Sequence, residues 1–370
     1  MTRNIKIIIY VFLLAVLLGC SNSKEKRFIS EKNIQSIKLV KIKDLVLEVP
    51  DTIKIGKIRE RFVTNNSNSL LALYDQITKK FYLVNEKGKL ISAIAGLGKG
   101  PKEVMQVFGF NFDEKNNLVV YDNQQLRMKI YTSDGEILKN VKLEDERKGH
   151  YIASPQLFAY NGKVYFGILE SDYTTTFKDA PIWKSNLFAI YDFEGNLISK
   201  SGKYDPFYKK NKDYRYSPII YLNPDNATLY STHEYNYRIQ SWALNNNITR
   251  VKYFGSRPEN FKEVGQEDIT GPLSKDKREE LYTKQSYISG IFANNNHTFI
   301  VFQNIPQVYF ERKNAQDKHY YLAVYDNDTS NYLGEIKLPY PLATISNNNL
   351  YLVEEDNPEA FKIGIYEIEY

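Results

Sequence analysis

Phe110-Asn111-Phe112-Asp113-Glu114-Lys115-Asn116-Asn117-Leu118-Val119-Val120-Tyr121-Asp122, followed by Leu126-Arg127-Met128-Lys129-Ile130-Tyr131 and Asp134-Gly135-Glu136-Ile137-Leu138, is the stretch that decides the fold. Short apolar runs of period two are broken by Asn, Asp and Gly, the signature of strands joined by tight turns. The unit reads as an apolar strand, a turn rich in Asn or Asp, a second strand, and a third that ends in an aromatic before a Gly or Asn turn. The same order recurs at residues 220–230, 237–242 and 246–248, and weaker copies occupy residues 70–90, 156–198, 290–336 and 343–368. A lone meander of this kind cannot bury both of its faces, whereas units stacked radially cover one another. The repeat therefore predicts an all-β fold, a six-bladed β-propeller formed by residues 34–370 as one domain, with a seven-bladed ring as the alternative. Six units in 370 residues exceed the roughly 40–50 residues of a compact blade, so long connections are expected at residues 171–185, 202–217, 254–286 and 304–318. Residues 37–49 precede the first unit and are expected to pair with the last, because an open ring leaves two unpaired edges. One short inserted helix is predicted over residues 272–282, where Ser274 can cap the first turn.

Composition agrees with strands. Hydrophobic residues make up 42% of the chain, and 30 Tyr with 20 Phe favour pleated surfaces. A single Cys excludes an internal disulfide. The formal charge of +5 is a small difference between 49 basic and 44 acidic residues spread along the chain, so no nucleic-acid footprint is present.

The N-terminus carries an address. Arg3 and Lys6 precede an apolar run over residues 7–18, shorter than the roughly 20 residues a membrane-spanning helix needs, and it reads as a signal-peptide core. Leu17-Leu18-Gly19-Cys20 resembles the lipobox of bacterial lipoproteins. That resemblance implies a lipoprotein signal peptide over residues 1–19 and lipidation of Cys20 with acyl chains such as palmitate. Each buried methylene contributes about 0.8 kcal/mol, so several chains hold a protein on a bilayer. No cofactor other than this covalent lipid is expected. Residues 20–33 begin small and polar and read as a flexible tether. Ser21, where an Asp would retain the protein, implies the outer membrane of the cell envelope, facing either periplasm or exterior.

A second resemblance rests on the repeats. Asn236-Tyr237-Arg238-Ile239-Gln240-Ser241-Trp242 is similar to the third-strand motif of NHL repeats, and residues 122–131 are a looser copy. Gly98-Lys99-Gly100-Pro101-Lys102-Glu103 looks like the linker of six-bladed NHL/TolB-like propeller lipoproteins of bacteria, and residues 255–261 like a degenerate second copy. The resemblance covers the whole mature chain and implies a propeller fold without implying an activity.

Chemistry is sparse. His150, His233, His297 and His319 lie far apart and form no HxH or HExxH spacing, so no metal is expected. Neither a GxSxG elbow nor an SxxK motif is present. Gly96-Leu97-Gly98-Lys99-Gly100 lacks phosphate-loop spacing and reads as an inter-blade turn. The most suggestive segment is Tyr204-Asp205-Pro206-Phe207-Tyr208-Lys209-Lys210-Asn211-Lys212-Asp213-Tyr214-Arg215-Tyr216, where rings alternate with cations in a long connection. It nominates Tyr204, Phe207, Tyr208, Lys210, Tyr214, Arg215 and Tyr216, with Trp183 from a neighbouring insertion, as ligand-binding residues. Phe177, Tyr309, Phe310 and Arg312 sit in other insertions. The expectation is an outer-membrane-anchored propeller that binds a ligand, a glycan or a protein partner without catalysis. The alternative is a propeller enzyme acting on sugars, lactones or peptides, its catalytic groups gathered at the channel from several blades.

Overall fold

The first strand, β1 (Lys38–Val46), does not join the strands that follow it in sequence but the last sheet of the chain. The computed structural model describes residues 28–50, 52–59, 61–144, 149–170, 184–210, 217–244, 248–263, 274–357 and 361–370. Six four-stranded antiparallel sheets are present among them. Blade 1 comprises β2 (Val63–Thr64), β3 (Leu70–Tyr74), β4 (Lys80–Asn85) and β5 (Leu90–Ala95). Blade 2 comprises β6 (Val107–Phe112), β7 (Leu118–Asp122), β8 (Arg127–Tyr131) and β9 (Ile137–Lys142), the fourth strand following the Gly135 turn. Blade 3 is β10 (Tyr151–Tyr160), β11 (Lys163–Leu169), β12 (Phe188–Asp192) and β13 (Leu197–Ser201). Blade 4 is β14 (Pro218–Asn223), β15 (Thr228–His233), β16 (Asn236–Ala243) and β17 (Thr249–Phe254). Blade 5 is β18 (Ser286–Ala293), β19 (His297–Asn304), β20 (His319–Asp326) and β21 (Tyr332–Leu338). Blade 6 takes β22 (Leu342–Ser346), β23 (Asn349–Glu355) and β24 (Lys362–Glu369) from the C-terminus and β1 from the N-terminus. Lys38 lies opposite Glu369 and Val46 opposite Lys362, so the strand expected to close the ring does so.

The core is divided among the blade interfaces. In β3, Leu71 and Leu73 enter the cluster shared with blade 6, while Ala72 and Tyr74 enter the cluster shared with blade 2. In β4, Tyr82 and Val84 go one way and Phe81 and Leu83 the other. The period of two thus sorts apolar side chains between two neighbours instead of between core and water, which is why the middle strands read as unbroken apolar runs. Alternation of more and less exposed positions returns in outer strands such as β5.

Turns between third and fourth strands follow a common chemistry. Gly88, Gly135 and Gly195 have φ of 85°, 92° and 85°, and each hairpin carries a bulge in its register. In blades 1 and 3 the residue ending the third strand caps the turn, with Asn85 accepting from the N–H of Lys87 at 3.0 Å and Asp192 from that of Glu194 at 2.9 Å, and in blade 2 the next residue, Thr132, accepts from the Glu136 N–H at 3.0 Å. These turns also lean on the preceding blade. A Cβ on Gly88 would lie 2.0 Å from the carbonyl oxygen of Val46 in β1.

The predicted helix is observed as α2 (Lys275–Lys284), its N-terminus capped by Ser274, which accepts from the Lys277 N–H. Two shorter helices not foreseen are α1 (Phe207–Lys210) and α3 (Gln307–Arg312). Residues 28–33, expected as part of a tether, are instead bonded to the ring. Ile29 donates to the Tyr253 carbonyl at 3.0 Å, Asn33 donates to the Tyr332 carbonyl at 2.8 Å, and the Phe28 ring packs 4.8 Å from Tyr253. Cys20, the expected lipidation site, and the first residues of the expected tether lie outside the described residues.

Gly88→Ala should cost about 1–3 kcal/mol more than Gly162→Ala in urea unfolding. Both positions have positive φ and share that penalty of roughly 1–2 kcal/mol, but a Cβ on Gly162 meets nothing within 4 Å. Equal costs would show that the turn does not lock onto β1.

Candidate functional site

The first strands of the six blades, β2, β6, β10, β14, β18 and β22, surround a central channel. The channel has a chemically distinct wall on blade 1. The segment entering β2 alternates, with Ile58 and Phe62 in the core and Arg59 and Arg61 lining the channel. Asp75, at the end of β3, holds this segment in place by accepting from the N–H groups of Gly56 at 2.7 Å and Lys57 at 3.1 Å. A side chain at Gly56 would collide with the Asp75 carboxylate and with Ile77, so glycine permits the approach. Burial alone would raise the Asp75 carboxyl, but the N–H groups of Gly56, Ile77 and Thr78 outweigh it and hold it below the usual carboxylate range.

The two arginines reach in different directions. Arg59 donates to the Phe108 carbonyl of blade 2 at 3.2 Å, and Arg61 crosses the channel to the Ser289 carbonyl of blade 5. Neither forms an ion pair with a carboxylate among the described residues. Both are half-buried, because what surface they keep faces the enclosed channel. Burial, reinforced by the neighbouring charge of Arg59, pushes Arg61 down to about 10, and burial lowers Arg59 in the same direction. Both therefore remain charged at neutral pH. Across the ring, Phe158, Tyr221 and Phe292 from three consecutive blades form an aromatic arc, with centroids 5.3 Å and 5.6 Å apart. Glu114, also on the wall, accepts from the Asn161 backbone N–H at the outer turn. The buried Gln156 keeps an amide oxygen without a hydrogen-bond partner.

The loop nominated from sequence is built differently from the exposed stacking surface expected of it. Tyr204 and Tyr208 are buried between blades 3 and 4, where both rings pack on His233 at 5.1 Å and 4.9 Å. Tyr204 donates its hydroxyl to the Ile168 carbonyl at 2.8 Å. Phe207 is half-buried beneath the Arg238 guanidinium, 4.6 Å from its ring. Lys210 ends α1, while Trp183, Tyr214, Arg215, Tyr216 and Phe177 lie outside the described residues. On α3, none of whose residues is buried, Phe310 stacks on Tyr282 at 6.4 Å and Lys318 lies 4.7 Å from the Tyr309 ring.

Among the described residues no three His, Cys, Asp or Glu side chains come together as metal ligands. His150 bonds to the Tyr191 hydroxyl at 2.7 Å, and His297 stacks on Tyr370 at 4.3 Å. His233 is fully enclosed with neither ring nitrogen partnered, and burial pushes it down to about 3, so it is neutral. Nearby Asp205 is raised by burial, against the pull of the Phe207 N–H and the Tyr253 hydroxyl, which donates to it at 2.7 Å. In the glycine-rich linker, the Glu103 carboxylate folds back to accept from Gly100 N–H at 2.8 Å and fills the space beside Gly98, so the segment is a closed turn.

The arginine wall was not found by sequence reasoning, which began blade 1 at Leu70. Its signal was Ile58-Arg59-Glu60-Arg61-Phe62, a period-two alternation with a basic face directly before a strand.

Six four-stranded sheets around a central channel define a six-bladed β-propeller. The chain belongs to the DUF5128 family of 6-bladed β-propellers, which it matches over residues 20–337. A member of the DUF4221 family from Bacteroides vulgatus is similar in structure, with TM-score 0.65 and 14% identity over 91% of this chain and 99% of that one. A Bacteroides fragilis protein described as exported has TM-score 0.54 and 15% identity over 92% of this chain and 98% of that one. No curated protein matches the chain.

His233→Phe removes two buried nitrogens without removing the flat ring, and should stabilise the protein by about 1–3 kcal/mol at pH 7.5. The folded-state value lies below the roughly 6.5 of an unfolded histidine. The wild-type contribution of neutral His233 is therefore complete above pH 6.5 and is lost as pH falls from there towards 3. Asp205 acts in the opposite sense, so the difference between variant and wild-type melting curves is the quantity to follow. That difference should widen from pH 6.5 to 4, and a constant difference would contradict the assignment.

Proposed function

We propose that this chain is a lipid-anchored binding propeller of the cell envelope, held on the outer membrane through Cys20, whose central channel receives a small ligand. The observation that carries the binding half is the convergence of two charged guanidiniums and an aromatic arc on one enclosed space. Apolar concave sites with a few convergent polar groups are the usual form of ligand pockets. Inward burial of Tyr204 and Tyr208 moves the binding reading from the loop to the channel. A protein or glycan partner would meet the long insertions, which carry Trp183, Lys210, Tyr214, Arg215 and Tyr216. The anchoring half is supported by Leu17-Leu18-Gly19-Cys20 and by the short apolar run before it.

Cells fed labelled palmitate should mark the wild-type protein and leave Cys20→Ser unmarked and released from membranes; an unlabelled wild type would end the anchoring proposal. For the channel, thermal unfolding against a panel of small acids, sugars and peptides should find a ligand that at 100 times its dissociation constant stabilises by about 2.7 kcal/mol. Thr64→Trp, which fills the channel from its half-buried wall position, should remove that shift. A shift that survives it would place the ligand elsewhere.

A further inference from the structure

Arg59 and Arg61 are two cations that line the channel from the segment leading into β2, two residues apart and so at most about 7 Å apart along the backbone. A buried charge is costly unless an opposite charge or hydrogen bonds compensate it. Here each guanidinium, with five N–H donors, gives one bond to a carbonyl, and no carboxylate of the described residues answers either charge. No nitrogen of either side chain is both buried and unpartnered, so the donors left over are turned to the channel space. The one carboxylate among the described residues of the wall, Glu114, accepts through one oxygen from the Asn161 N–H at the turn between β10 and β11.

We propose that the channel holds a small organic anion, its acidic group bound at the wall that carries Arg59 and Arg61, through the donors their carbonyl bonds leave over, and its apolar body lying along Phe158, Tyr221 and Phe292. This rests on the channel being the binding site. The acidic group supplies the counter-charge that no carboxylate among the described residues supplies, and guanidinium forks fit the paired oxygens of a carboxylate, phosphate or sulfonate. The body must be apolar because the opposite wall offers ring faces. Ser289, where Arg61 lands, precedes Phe292 by three residues on β18, which sets the acidic end roughly 10 Å along the channel from the end of the arc.

The test uses the full chain purified in detergent and two dyes with the same aromatic body, 8-anilinonaphthalene-1-sulfonate and uncharged N-phenyl-1-naphthylamine. The sulfonate should bind one per chain and at least tenfold more tightly than the neutral dye, with affinity falling as salt is raised. Arg59→Gln and Arg61→Gln should each reduce sulfonate affinity about tenfold and leave the neutral dye unaffected, while Arg61→Lys should retain much of the preference. Should Arg61→Gln unfold through loss of its bond to blade 5, Arg59→Gln carries the comparison, its bond reaching only the adjacent blade. Displacement by phenylacetate or by phenyl phosphate then separates a carboxylate from a phosphate ligand, and either supports the anion. Equal affinity for the two dyes would overturn the anion and leave the channel as a binding site. Failure of both dyes to bind, or binding of both unchanged in Thr64→Trp, would overturn the channel reading and the anion with it.

Discussion

Every blade of this protein has two apolar faces, and neither can be left in water. That constraint determines the rest. A strand such as β3 sends Leu71 and Leu73 to one neighbour and Ala72 and Tyr74 to the other, so each sheet is stable only between two others. A row of such sheets would end in two exposed faces and two open edges, and only a closed ring removes them. Closure is completed by β1, which supplies the fourth strand of blade 6, and by the Glu48 N–H, which donates to the Gly88 carbonyl of blade 1 at 2.9 Å.

Closing the ring creates the channel as a by-product, and the chain has used that space in an uneven way. Most of the inner wall is apolar or aromatic, and one blade contributes paired cations. A stability argument alone would place apolar side chains at both positions, since enclosing like charges without counter-charges works against folding. Asp75 and the close approach at Gly56 show that local structure nevertheless fixes the backbone from which these arginines project. Rigid support beneath a group that does not help the fold is the arrangement expected of a binding site.

Much of the architecture was legible because it depends on local rules. The repeat around residues 110–138, the glycine and Asx turns, the Ser274 cap and the closing strand all follow from spacing and turn chemistry. The site was not legible, and for physical reasons. β2 is only two residues long, so the arginines precede a strand too short to announce itself. Tyr204 and Tyr208 alternate with polar residues in sequence as exposed rings would, yet the space between blades 3 and 4 draws them in around His233. Burial of that kind is decided by partners distant in sequence, which no local pattern records.

The N-terminal segment has a further consequence. Before entering blade 6 as β1, it runs across blade 4 at Ile29 and blade 5 at Asn33 and Gln35, each held by backbone hydrogen bonds. Blades 4 to 6 are the last to leave the ribosome, so the first described residues of the chain can begin to dock only after about two-thirds of it has been made, and finish only with blade 6. The ring thus finishes folding by recruiting its own beginning, and a nascent chain stalled before blade 6 has no surface on which to complete this belt. The same path governs mechanics: a pull on the N-terminus is not focused on one strand but is shared in turn by three blades, which must be peeled away one after another.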